Sequence, residues 1–309
     1  MVKLNPSKEQ HKMLRDTMHR FNEACNAIAE TAFTIHKANK VEIHKLVYYD
    51  IRERFGLSSQ LTVRAISKVA EAYKRDKSIK PEFQLDGAIV YDQRILAWKG
   101  LEAVSLITLE GRQLIPVRIG DYQKARMDRV RGQADLILVK GIFYLCVVVE
   151  VAEESPYDPK GVLGVDLGIK YLAVDSDGEM HSGEQVNQTR DKLDSLKARL
   201  QSKGTKSAKR HLKKLSGRMA RFSKDVNHCI SKKIVTKAKD TLRSIALEDL
   251  QGIRDRAAVR RAQRRSLHTW NFGLLRMFVE YKSKIAGVPL VFVDPRNTSR
   301  TCPSCGHVS

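Results

Sequence analysis

Asp166 and Glu248 are the residues whose type and placement best suit chemistry. Asp166 lies in a short glycine-flanked apolar run, Gly161-Val-Leu-Gly-Val-Asp166-Leu-Gly-Ile-Lys170. Glu248 ends a second apolar run, Ser244-Ile-Ala-Leu-Glu248-Asp-Leu-Gln-Gly252. Carboxylates carried on adjacent strands offer hard oxygen ligands at a fixed separation, the donor set that Mg²⁺ takes. Two such ions about 4 Å apart activate a water and stabilise a leaving oxygen in phosphodiester cleavage. Gly164 and Gly168 leave room for a phosphate backbone beside Asp166, and an acid closing a fully buried strand needs a partner such as a metal. Spacing alone leaves an alternative open, with Asp166 a turn residue and Glu248 a strand-end acid in solvent.

The charge balance says what such a site would face. The 309 residues carry 56 Lys and Arg against 35 acids, a net charge of +21. Of this surplus, +17 falls between Arg190 and Arg265, where 24 basic residues face 7 acids. A run of charge is ordinarily a solvated helical face, and a basic chain can be an inert surface or a ribosome-associated protein. An excess this concentrated cannot be balanced by i,i+4 pairs, so a polyanion such as nucleic acid is the expected partner. No apolar run approaches the roughly 20 residues that span a bilayer, and Met1-Val-Lys-Leu-Asn-Pro6 lacks an apolar signal core. An intracellular protein without a membrane partner is expected. Cys25, Cys146 and Cys229 stand alone, as small buried hydrophobes do, and Cys302 and Cys305 form a pair.

The elements that must position the acids follow from periodicity. Residues 7–80 read as helices: Ser7 and Gln10 form a capping-box pattern, Gly56 is a C-cap, and Ser58 or Ser59 opens a third helix. Residues 82–153 change to short strand-like runs, from Phe83-Gln-Leu85 to Phe143–Glu150, with turns at Asp86-Gly87, Glu110-Gly111 and Lys140-Gly141. That spacing predicts a small barrel or strongly bent sheet. Ser155-Pro-Tyr-Asp-Pro159 reads as a linker. Beyond it come strands over Val162–Lys170 and Tyr171–Val174, and a long basic helical stretch that Gly204-Thr205 folds into a hairpin. A strand over Ile245–Glu248, an Arg-rich loop or helix over 254–265, a helix ending near Gly287 and a strand Val288–Val293 complete the pattern.

Four motifs in order are more specific than this. Gly164-Val-Asp166-Leu-Gly-Ile-Lys-Tyr-Leu-Ala173, Arg221-Phe-Ser-Lys-Asp-Val-Asn-His228, Ile245-Ala-Leu-Glu248-Asp-Leu250 and Val293-Asp-Pro-Arg-Asn-Thr-Ser-Arg-Thr-Cys302-Pro-Ser-Cys305-Gly-His307 together resemble the TnpB family. These are transposon-encoded RNA-guided nucleases (OrfB-type transposases) related to type V CRISPR effectors. The resemblance covers about residues 160–309, and Leu4-Asn-Pro6, Gln10 and Phe21-Asn-Glu-Ala24 extend it weakly. It implies a multidomain α/β and β fold. A wedge-like β-barrel would comprise 1–6 and 82–155, with a helical recognition insert at 7–81. An RNase H-like (RuvC) nuclease domain would span 160–296, with a basic hairpin at 188–240 and half of a zinc ribbon at 297–309. In that scheme Asp166 and Glu248 are the first and second catalytic acids and Mg²⁺ ligands. Lys209, Lys213, Lys214, Arg218 and Arg221 contact nucleic acid, and Cys302 and Cys305 supply half of a structural Zn²⁺ site. A guide RNA would pair with a double-stranded DNA target in the prokaryotic cytoplasm, leaving the protein to grip backbone.

The chain departs from the family pattern after Ser309. A four-coordinate zinc site needs a second Cys pair, and the family's third catalytic acid follows the ribbon on the next helix. Asp249 and Asp294 do not match that position, and Asp249 should point away from Glu248 on a strand. A truncated copy with weak or absent cleavage is therefore expected. The alternative is a nuclease-dead, guide-directed DNA-binding protein, acting as a repressor or left as a transposon remnant. A strand-transfer transposase fits the motifs less well.

Overall fold

A computed structural model describes residues 1–168, 170–249 and 272–294, and the chain divides into two compact units, 1–151 and 152–309. The Arg-rich stretch 254–265, Trp270, Cys302, Cys305 and His307 lie outside the described residues.

The first unit opens with β1 (Val2–Leu4) and then three helices, α1 (Lys8–Thr34), α2 (Lys40–Phe55) and α3 (Ser59–Arg75). Each boundary has a local cause. The Ser7 hydroxyl accepts from the Gln10 backbone N–H while the Gln10 side chain accepts from the Ser7 N–H, satisfying two orphan donors of α1. Gly56 ends α2 at φ 62°, a conformation that L side chains adopt only with strain. Ser58 rather than Ser59 caps α3, accepting from the Leu61 N–H.

Six strands follow: β2 (Ile89–Tyr91), β3 (Leu96–Lys99), β4 (Ala103–Thr108), β5 (Gly111–Arg118), β6 (Val130–Val139) and β7 (Ile142–Val149). A short helix α4 (Asp121–Lys124) and a 3₁₀ turn (Met127–Arg129) join β5 to β6. With β1 they make a seven-stranded antiparallel sheet in the order β2-β6-β7-β1-β5-β4-β3. Its two edge strands, β2 and β3, are neighbours in sequence, so the sheet curls into a near-closed barrel. The Tyr91 hydroxyl donates to the Ile107 carbonyl across that seam at 2.8 Å. Phe83-Gln-Leu85 forms no strand. The side-chain amide of Asn26 on α1 takes both backbone groups of Phe83 instead, accepting at 2.8 Å and donating at 2.9 Å. One apolar core joins the helices to the barrel, from Leu14, Phe21 and Ile66 to Leu106, Leu136 and Phe143.

The second unit begins with a strap rather than a free linker. Tyr157 packs on its core, and its hydroxyl donates to the Arg243 carbonyl at 2.9 Å. Strands β8 (Val162–Asp166), β9 (Tyr171–Asp175) and β10 (Met180–Ser182) lead to helices α5 (Glu184–Lys203), α6 (Lys206–Leu215) and α7 (Arg218–Asp240). Then come β11 (Ser244–Glu248), α8 (Phe272–Ile285) and β12 (Leu290–Val293). The mixed sheet has the order β10-β9-β8-β11-β12, with β11 parallel to both β8 and β12. Parallel neighbours need long crossovers, here provided through α5–α7 and α8. The hairpin breaks at Gly204 as expected, and its second arm breaks again at Gly217, which sits at φ 73°.

Among the described residues no helix is long and apolar enough to cross a membrane.

Candidate functional site: a carboxylate pair on one sheet face

Alternation along β8 and β11 decides where the acids point. Leu163 and Val165, and likewise Ile245 and Leu247, are buried in the core beneath α7 and α8. Their neighbours Gly164, Asp166, Ala246 and Glu248 therefore lie on the opposite face. The parallel register pairs Ala246 with Gly164 and Leu247 with Val165. One step further along the same register sets Glu248 level with Asp166. Both acids line one cavity of about 420 Å³, with Val174, Ser176 and Val293 on its walls. Asp166 is exposed there and Glu248 is half-buried.

The small residues on this face have distinct causes. A Cβ on Gly164 would meet only the Ser176 Cβ, at an ordinary 3.7 Å, so glycine here is not demanded by packing and leaves the cavity floor open. A Cβ on Gly168 would come within 2.9 Å of the Tyr171 carbonyl oxygen. Gly168 thus serves the tight return from β8 to β9. Asp249 turns away from the pair: its carboxylate is engaged by Arg276, whose guanidinium lies 3.9 Å from the Phe292 ring centroid.

The sequence did not reveal the ionic support behind the site. Asp175, on the strand beside β8, is buried and receives the Lys237 ammonium of α7 at 2.5 Å. Lys237 also reaches Asp177 at 3.0 Å, and Arg243 holds Asp177 through two bonds of 2.8 and 2.6 Å. Burial pushes the Asp175 carboxyl up, but the hydrogen bonds from Lys237 and the Glu179 N–H outweigh it and hold it below the usual range. Hydrogen bonds from Arg243 and then Lys237 hold Asp177 well below its ordinary value. The visible signal was Asp175-Ser-Asp-Gly178, which reads simply as a turn. Ser176 within it lines the acid cavity and accepts the Gly164 N–H at 3.3 Å.

Lys209, Lys213 and Lys214 on α6, with Arg218 and Arg221 on α7, are all exposed. Among the described residues no ion pair engages these five.

Residues 145–252 match the OrfB_IS605 family model, described as "Probable transposase", and residues 272–309 match the Cas12f1-like TNB domain. The chain is 30% identical over 165 residues to the TnpB-like protein MJ0751 of Methanocaldococcus jannaschii, covering 49% of this chain and 59% of that protein. It is 33% identical over 98 residues to the CRISPR-associated endodeoxyribonuclease Cas12f1 of Sulfoacidibacillus thermotolerans, covering 31% of this chain and 22% of that one. These matches span under two thirds of either relative. A solved structure, the Cas12f1–sgRNA–target DNA complex, superposes with a TM-score of 0.60 at 13% identity, covering 96% of this chain and 76% of that one. At that identity the likeness establishes a Cas12f-like fold. The chain is thus similar to the OrfB_IS605 transposase family over residues 145–252 and to the Cas12f1-like TNB domain over residues 272–309.

Proposed function

We propose that the chain is an RNA-guided, Mg²⁺-dependent DNA endonuclease of transposon origin, with Asp166 and Glu248 as its first two catalytic carboxylates. The single observation that carries this is their level placement on one face of neighbouring parallel strands, lining one cavity. The donor set fits a hard divalent cation, since both side chains offer carboxylate oxygens and Gly164 and Ala246 leave the floor between them open. When bound, Mg²⁺ would supply charge neutralisation at the phosphodiester and a more acidic water. The protein's own part is to hold two acids on a rigid sheet braced by α7 and α8.

The finer layout belongs to the same proposal. Residues 1–6 and 82–155 act as a wedge-like barrel and 7–81 as a recognition insert. Residues 160–296 form an RNase H-like (RuvC) nuclease domain, and Cys302 and Cys305 contribute to a structural zinc site. The exposed side chains of Lys209, Lys213, Lys214, Arg218 and Arg221 grip the backbone of a guide RNA and double-stranded DNA target in the nucleoid. Support comes from their exposure and from the family, in which one solved neighbour is a complex with sgRNA and target DNA.

One observation favours a second reading for the 309-residue chain taken alone, namely guided binding with impaired cutting. Asp249, the acid next to Glu248, is engaged by Arg276, and Asp175, the third acid lining the cavity with Asp166 and Glu248, is engaged by Lys237, so both further carboxylates near the pair are already held by cations. Incubating the chain with a matched guide RNA and plasmid in Mg²⁺ decides between them. Cutting that EDTA and Asp166→Ala both abolish supports the endonuclease. Guide-dependent retention of uncut plasmid supports the second reading. Plasmid neither cut nor retained overturns both.

A further inference from the structure

The first unit holds a second cavity that the proposed cleavage does not use, of about 260 Å³. It forms where β6 bulges beside the β2–β3 seam. On β6, Arg131 pairs with Val148 and Ala134 pairs with Val147, so the two residues between, Gly132 and Gln133, are displaced from the ladder. Gly132 takes φ 68°, which suits glycine. A bulge of this kind re-aims a side chain at a sheet edge, and here Gly132 and Gln133 line the cavity.

The rest of the lining is apolar and aromatic: Leu96, Ala97 and Trp98 from β3, closed by Met127 and Val130. Trp98 is half-buried, packed against the core yet still part of this surface. Two exposed amides, Gln93 and Gln133, stand at the recess with the exposed Arg131, whose Nε lies 3.2 Å from Glu150. One acid, Asp92, also lines it, but its oxygens are taken by Arg64, Gln60 and the Arg94 N–H. The recess therefore presents a ring-sized apolar slot, amides that both donate and accept, and neighbouring cationic groups in a chain of net charge +21.

We propose that this cavity takes a single unpaired nucleobase of the bound nucleic acid, stacked on Trp98 and hydrogen-bonded by Gln93 and Gln133. The proposal rests on the reading of the chain as a nucleic-acid-binding protein. Stacking on an aromatic face is tolerant of base identity, and amides serve any base edge, so occupancy should depend on a base being unpaired rather than on which base it is. A base inside a duplex would first have to leave its stack at a cost of a few kcal/mol, so fully paired DNA should leave the cavity empty.

Trp98 and Trp270 are the two tryptophans, so the full chain carrying Trp270→Phe reports on Trp98 alone. Its emission is followed while unstructured DNA, unstructured RNA and blunt duplex DNA are added, with anisotropy of the labelled oligomers measured in parallel. At least one single-stranded oligomer should quench Trp98 at the concentration where anisotropy saturates, and the arm that does so names the strand. The blunt duplex should bind without quenching. Ala97→Leu should remove the quench and weaken single-strand binding by about fivefold or more, the loss of one stacked base. Gln133→Ala, at an exposed position, should weaken it in the same direction without endangering folding. Single strands that bind while Trp98 emission stays unchanged overturn the pocket and leave nucleic-acid binding standing. A duplex that quenches equally does the same. Failure of every oligomer to bind overturns both.

Discussion

Asp166 and Glu248 stand one register step beyond the Val165–Leu247 pair on neighbouring parallel strands, and therefore on the same face and at the same level of the sheet. Side chains so placed are close neighbours with little freedom to separate, because Val165 and Leu247 beneath them are anchored in the core. Rigid elements position catalytic groups more tightly than loops do.

Asp166→Asn and Glu248→Gln keep shape and remove charge. Each should lower guided plasmid cleavage by about two to three orders of magnitude, while guide and target binding, read by gel shift, stays within about twofold. Loss of binding to the same extent as cutting would show that the pair holds the fold or the substrate instead.

Replacing Lys209, Lys213, Lys214, Arg218 and Arg221 with Gln should leave the melting midpoint unchanged, since all five side chains are exposed. Affinity for nucleic acid should fall, and the slope of log K against log salt should shrink by about 0.9 for each duplex phosphate the protein no longer neutralises. An unaltered slope would remove the hairpin from the interface.

Asp175 and Asp177 predict how the second unit responds to acid. Both carboxyls are held below their ordinary value in the fold. Their stabilisation is therefore complete above the unfolded carboxylate pKa, about 4, and is lost as pH falls through the lower folded values. Thermal melts from pH 7 to pH 2.5 should show a steep fall below about pH 4. Lys237→Met should lower the midpoint at pH 7 by a few degrees and flatten that dependence. A variant with the same acid profile as the parent would show that Lys237 is not the group holding these acids.

The two glycines flanking Asp166 should separate by substitution. Gly168→Ala forces a Cβ to 2.9 Å from the Tyr171 oxygen and should cost about 1–3 kcal/mol in urea unfolding. Gly164→Ala meets only the Ser176 Cβ at 3.7 Å, so stability should hold while cleavage drops as the cavity floor fills. Equal stabilities for the two variants would contradict this division of roles.

Much of the local structure was legible in the residues themselves. The capping box at Ser7 and Gln10, the C-cap at Gly56 and the break at Gly204 each depend on a few adjacent residues and on backbone conformations that specific side chains favour. The two acids could be named from the apolar runs that carry them. Other features depended on partners far away in the chain. Phe83-Gln-Leu85 has strand composition, yet Asn26 takes its hydrogen bonds. The steric need for glycine at 168, set by the Tyr171 carbonyl oxygen, was likewise not legible in the residues alone.

What the sequence alone determined is the chemistry on offer: the identity of the acids, the surplus of positive charge and the local punctuation of helices and strands. Tertiary structure decided the rest, because strand register is a long-range property. Only the pairing of β8 with β11 could set Asp166 beside Glu248, only the packing of α7 on the sheet could bring Lys237 to Asp175, and only the curling of the first sheet could close a barrel around the recess at Trp98.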